Sequence, residues 1–148
     1  MIVLGMFAAG LTARFMISRM EARTLELVFP EHANPGGYAF GGFVLGLMDK
    51  VGSYAAIRRS RKRCVTVRVG EVVFEVPIRV GDLLEIVARV VRVGRTSMTV
   101  EVEVYRENLK ESKTLATRGN LTYVAVDETG KPVEVGELTK GTEQKAEG

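Results

Sequence analysis

Between Phe40 and Ile57 the chain keeps an almost continuous apolar character, through Phe43, Val44, Leu45, Leu47, Met48, Val51, Tyr54, Ala55 and Ala56. A segment this long and apolar on every side predicts a buried helix, which needs other elements to wrap it. The flanking sequence supplies them. Arg23 to Phe29 alternates, with Leu25, Leu27 and Phe29 on one face, and reads as a strand ending at Pro30. Glu31 to Ala39 holds Asn34-Pro35-Gly36-Gly37 and is a loop by its turn chemistry. After the helix, Cys64 to Ile78 places Val65, Val67 and Val69 at odd positions, then Val72, Phe74, Val76 and Ile78 at even ones. That slip of phase predicts a β-bulge at Gly70. Leu83 to Val93, Ser97 to Tyr105 and Thr114 to Val126 read as three further strands, separated by Val80-Gly81-Asp82, Gly94-Arg95 and the polar stretch Glu107 to Lys113. A strand, one long helix and four antiparallel strands, without repeat or linker, predict a single α+β domain in which a curved antiparallel sheet wraps the helix. One helix cannot cover a whole sheet face, so a partner chain is expected.

The ends lie outside this pattern. Residues 1–20 form an extension that is apolar to about residue 13, shorter than a membrane span needs and with Arg14 as its first cation, unlike a secretory leader. Residues 21–136 are expected to form the domain, and 137–148 a polar tail without fixed structure. The chain has one His, one Cys and no Trp. An intrachain disulfide framework and a multi-ligand zinc cage are excluded, and a reducing, cytoplasmic setting is expected. Catalysis would have to come from carboxylates, amides, hydroxyls or the backbone. The cations Arg58, Arg59, Arg61, Lys62 and Arg63 follow the helical run and suit the negative end of its dipole. That reading is preferred over a contact with a phosphorylated small ligand. Nucleic acid ranks last, because no recognition motif accompanies the run. No membrane partner is expected.

Asp49 sits between Met48 and Val51 in the most apolar part of the chain, where an ionised carboxylate is costly unless partnered. It reads equally as a general base or as a helix position that faces solvent or pairs with an arginine. Asn34 has an ordinary conformational reason to stand in a Pro/Gly loop. Gly41-Gly42 opens the helix, where unpaired backbone N–H groups and a positive dipole end can be approached closely.

The segment Pro30 to Gly42 (PEHANPGGYAFGG), followed by Leu47-Met48-Asp49, resembles the hotdog-fold acyl-CoA thioesterases, in particular the YciA-like enzymes and cytosolic acyl-CoA hydrolases. Val65-Thr66, Phe74 with Pro77, Gly81-Asp82, Gly94-Arg95-Thr96-Ser97-Met98, and Val124-Ala125-Val126-Asp127 with Gly130-Lys131-Pro132 match in the same order, over about residues 24 to 133. The resemblance implies hydrolysis of acyl-CoA to a free acid and CoA without a cofactor or metal, by a dimer whose sheets join edge to edge and assemble as a trimer of dimers. It implies Asp49 as base or nucleophile, and Asn34 as its partner from the other subunit. It also implies an oxyanion hole at Gly42, with Gly41 second, and CoA contacts at Val67, Arg68, Val69, Arg95, Thr96, Ser97 and Met98. A non-catalytic acyl-CoA-binding module is one alternative, without a partner module in the sequence to support it. A hotdog hydratase or dehydratase is another. Those dehydratases use a His-Phe-Pro segment, whereas here Phe29-Pro30 precedes His32, which is therefore not expected to be catalytic. Cys64 is expected to be a packed thiol.

Overall fold

Runs of Val, Ile and Thr set the strands, because β-branched side chains fit a pleated, half-buried surface. The computed structural model describes residues 19–138; the apolar lead (1–18) and most of the polar tail (139–148) lie outside the described residues. The strands are β1 (Glu21–Leu27), β2 (Arg63–Phe74), β3 (Leu83–Val93), β4 (Ser97–Glu107) and β5 (Thr114–Val126), and the helix α1 is Gly41–Ser60. All neighbouring strands are antiparallel, in the order β1-β3-β4-β5-β2. Both β1 and β2 are therefore edges. Helix α1 packs against all five strands, so the expected wrapped helix is present.

Its wrapping is one-sided. The buried helix residues are Val44, Leu47, Met48, Val51, Gly52, Ala55, Ala56 and Ser60, a stripe at helical spacing, while Tyr54 and Ile57 stay exposed. The all-round apolarity thus exceeds what one sheet covers. In β1 and the two residues after it, Leu25, Leu27 and Phe29 point outward and are exposed, whereas Ala22 and Val28 are buried. The alternation marks the strand correctly, but its apolar face is turned away from the core. The chain leaves β1 two residues earlier than expected, where Val28 N–H bonds the Asp82 carbonyl at 3.0 Å. Pro30–His32 then forms a 3-10 turn that the loop reading did not contain.

Helix α1 ends at Arg61, whose φ of 57° is left-handed and whose N–H returns to Ile57 O at 2.8 Å. The basic run is put to structural use. Arg58 donates to Glu21 O, Arg59 to Gly136 O and Lys62 to Glu134 O, tying the helix end to β1 and to the chain after β5. In β2 the register shifts twice, between Thr66 and Arg68 and between Val69 and Val72. The second shift is the bulge expected at Gly70. Gly119 on β5 makes room for it, since a β-carbon there would lie 2.7 Å from Val72 Cγ2.

Candidate active site

The Asn34 loop is fixed by its own backbone. Asn34 N–H bonds Tyr38 O and Gly37 N–H bonds Asn34 O, both at 2.9 Å. Gly37 has φ of 82°, a conformation that favours glycine. The Asn34 side chain takes part: Oδ1 accepts from Gly36 N at 3.0 Å and Tyr38 N at 3.2 Å. Its acceptor is therefore committed to the loop, and its Nδ2 protons are what it offers an incoming group. Beside it, His32 Nδ1 accepts the Phe29 N–H at 3.1 Å and the ring stacks on Phe43 at 4.0 Å. These contacts give His32 a packing role in shaping the loop.

Phe40 N–H bonds His32 O at 2.9 Å, which brings the loop onto the start of α1. The Phe40 carbonyl accepts from the amides of Phe43 and Val44. The amides of Gly41 and Gly42 thus precede the helix's first internal hydrogen bonds, at its positive end. Both glycines are exposed. A β-carbon at Gly42 would meet nothing within 4 Å, while one at Gly41 would touch the Phe74 ring at 3.4 Å. A largely apolar cavity of about 260 Å³ opens next to this helix start, lined by Tyr38, Ala39, Gly41, Val44, Phe74, Val76, Pro77 and Ile78.

Asp49 lies at the border of the buried stripe and is half-buried. It is partnered, and by hydroxyls. Thr66 Oγ1 on β2 donates to Oδ1 at 2.6 Å, and the Tyr123 hydroxyl on β5 lies 3.2 Å from the same oxygen and 2.8 Å from the Asp49 carbonyl. Burial, together with the Asp49 charge, raises the Tyr123 phenol far above its ordinary value, so it stays protonated and donates. Oδ2 carries no protein hydrogen bond among the described residues. Neither hydroxyl has a role in the sequence reading, where Thr66 enters only through the Val65-Thr66 match and Tyr123 looks like any other strand residue.

Gly42 and Asp49 are on one helix, but seven residues of rise separate them by about 10 Å. Among the described residues no hydrogen bond joins Asn34 to Asp49. Within one chain the Asn34 loop with the helix start and the Asp49 carboxylate are thus two separate groups of residues. Of the expected CoA contacts, Val67, Arg68 and Val69 are exposed on the outer edge strand β2, and Arg95 is exposed at the β3–β4 turn. Thr96 and Ser97 are half-buried there, and Met98 is 1% exposed within the core, which leaves its side chain no access to a ligand. Strand β5 separates the two groups, because Tyr123 pairs with Thr66 on one side and Met98 on the other. Cys64 is half-buried beside Ser60, with Sγ 3.4 Å from its hydroxyl, and burial raises its pKa. Among the described residues no cluster of His, Cys, Asp and Glu is arranged to hold a metal.

Residues 36–113 match the thioesterase superfamily. An uncharacterised acyl-CoA thioester hydrolase of Zymomonas mobilis is 40% identical over 110 residues, 74% of each chain. An acyl-CoA hydrolase from Staphylococcus aureus, solved with butyryl coenzyme A, coenzyme A and coenzyme A disulfide, is 31% identical with a TM-score of 0.76, covering 80% of this chain and 73% of that one. The same enzyme has been solved with alanine in place of one aspartate, one threonine and one asparagine. An apo-hexameric acyl-CoA thioesterase is 38% identical with a TM-score of 0.78, covering 86% and 82%.

Proposed function

The chain belongs to the thioesterase superfamily, and from that premise we propose that it hydrolyses acyl-CoA thioesters in a site built by two protomers. The observation that carries this reading is that one helix bears a carboxylate held through one oxygen and, about two turns away, a start that offers free amides. The replaced residues of the S. aureus enzyme support the choice of side chains. Its asparagine and aspartate are fifteen positions apart and its aspartate and threonine seventeen, the same spacings as Asn34, Asp49 and Thr66.

The fold suggests how the halves meet. Strand β2 is an edge with exposed Val65, Val67, Val69, Val73 and Phe74, a surface made for pairing with a second strand. Two β2 strands running antiparallel about a twofold axis near Arg68–Val69 bring Phe74 of one protomer to the Arg63–Thr66 end of the other. Phe74 touches the Gly41 position, and Thr66 holds Asp49. The helix start of one subunit therefore faces Asp49 of the partner subunit. In that site the Gly42 amide, with Gly41 second, and Asn34 Nδ2 receive the thioester oxygen as it gains charge. Oδ2 of the partner's Asp49 takes a proton from the attacking water, and collapse expels the CoA thiolate and leaves the free acid. Alternatively, Oδ2 attacks the carbonyl itself and collapse expels the thiolate; water then hydrolyses the resulting anhydride, releasing the acid and restoring the carboxylate. The side chains of Val67, Arg68 and Val69 beside the paired β2 strands, with the Arg95–Ser97 turn, are the proposed CoA surface, with no cofactor. Solved hexameric relatives support further assembly as a trimer of dimers, and a lone unbridged cysteine suits the cytoplasm.

The test is free-CoA release from short, medium and long acyl-CoAs by wild type, Asp49→Ala and Asn34→Ala, alone and mixed. Each variant alone is expected to be inactive. Refolded together they should regain about a quarter of wild-type activity, since statistical mixing gives half mixed dimers with one intact site each. Full activity in Asp49→Ala overturns the site, and an inactive mixture overturns its cross-subunit assembly.

A further inference from the structure

We propose that Tyr123 is a positioning residue for Asp49, and that Gly52 is the clearance that lets it act; this rests on the reading of Asp49 as the reacting carboxylate. Tyr123 belongs to β5, the strand beside the β2 edge, and is completely buried. Its ring crosses from the sheet to α1 and ends against the helix backbone. The hydroxyl lies within hydrogen-bond distance of both the Asp49 carbonyl and Oδ1. A phenol has one proton, so the two acceptors share it. That arrangement ties the side-chain oxygen to the backbone of the same residue and restricts rotation about χ1 and χ2. Thr66 holds the same oxygen from the opposite strand. With Oδ1 pinned from β2 and β5, Oδ2 is left in one orientation.

The helix is shaped to admit the hydroxyl. Gly52 stands three residues after Asp49, inside α1. A β-carbon there would collide with the Tyr123 oxygen and come within 3.1 Å of the ring carbon that carries it. Mid-helix glycine is unfavourable relative to alanine, and no positive φ requires one at this position. What glycine provides at position 52 is room for the phenol.

The test is steady-state hydrolysis by Tyr123→Phe and Gly52→Ala, with melting temperature measured on the same samples. Tyr123→Phe keeps the ring and removes only the tether; kcat should fall about tenfold or more while KM stays within about twofold. Gly52→Ala, which displaces the hydroxyl without removing it, should lower kcat in the same way. As a control for instability, Val104→Ala hollows the core away from these contacts and should lower the melting temperature while keeping kcat. Wild-type kcat in a folded Tyr123→Phe, or a kcat loss in Val104→Ala matching that of Tyr123→Phe, overturns the positioning role. Either result leaves the site itself standing if Asp49→Ala is inactive. If Asp49→Ala is active, the site reading has failed first.

Discussion

A carboxylate with two hydroxyls on one oxygen has its other oxygen free for chemistry, and this is the state of Asp49. Thr66 donates at 2.6 Å from a side chain that is itself exposed. Thr66→Val should therefore cost about 10- to 100-fold in kcat with little change in melting temperature, as read by steady-state kinetics beside a thermal melt. A parallel fall in stability would make Thr66 a packing residue instead. Asp49 was legible in the sequence because a charge inside an apolar run is conspicuous. Its partners were not, since a hydroxyl on an alternating strand carries no signal until the register places it under the helix. Asn34 was legible as a loop residue, but the assignment of its oxygen to the loop and of its amide protons to a visitor follows only from the turn geometry. The side chain of Met98 points into the core in step with Val100, Val102 and Val104, as the alternation of β4 implies.

At the scale of elements, β3 and β5 fall where the turn signals bounded them, and the bulge near Gly70 is paired with Gly119 across the strand. Gly119→Ala would drive a β-carbon into Val72 and the Glu71 carbonyl, and should destabilise the fold by about 1–3 kcal/mol in urea titration. The ends of elements were less legible. The 3-10 turn at Pro30–His32 depends on Phe29 N–H finding the imidazole of His32, a local contact with no periodicity. The outward turn of Leu25 and Leu27 depends on what covers them, which a strand pattern does not specify. The β1–β3 pair is reinforced where Lys113 and Arg23 both bond Glu85, holding its carboxyl below the usual range. A carboxyl depressed in the folded state stabilises above its unfolded value of about 4.3 and loses that contribution as pH falls through the folded one. The stability gap between wild type and Glu85→Gln, measured by urea midpoint, should be present at neutral pH and shrink as pH falls below the unfolded value. A gap independent of pH would assign the effect to packing.

At the scale of the whole molecule, the unpaired edge of β2 is the feature from which the proposed assembly follows. Val69 lies near the middle of β2, so a lysine there would face its own copy across a twofold axis. Val69→Lys should sediment as a folded monomer without thioesterase activity, whereas an active monomer would place the complete site in one chain. The sequence suggested a partner because one helix cannot cover a whole sheet face, and through the family resemblance; the exposed edge of β2 gives that expectation a direction. How long such an assembly keeps working depends on its least durable group, and primary amides in glycine-rich loops are commonly the first to decay. Deamidation proceeds when the next residue's backbone nitrogen attacks the side-chain carbonyl and closes a succinimide. Asn34 is followed by Pro35, whose nitrogen carries no hydrogen and lies locked in a ring. The Asn34-Pro35 turn therefore closes the fast route of chemical ageing at the amide proposed to receive the thioester oxygen.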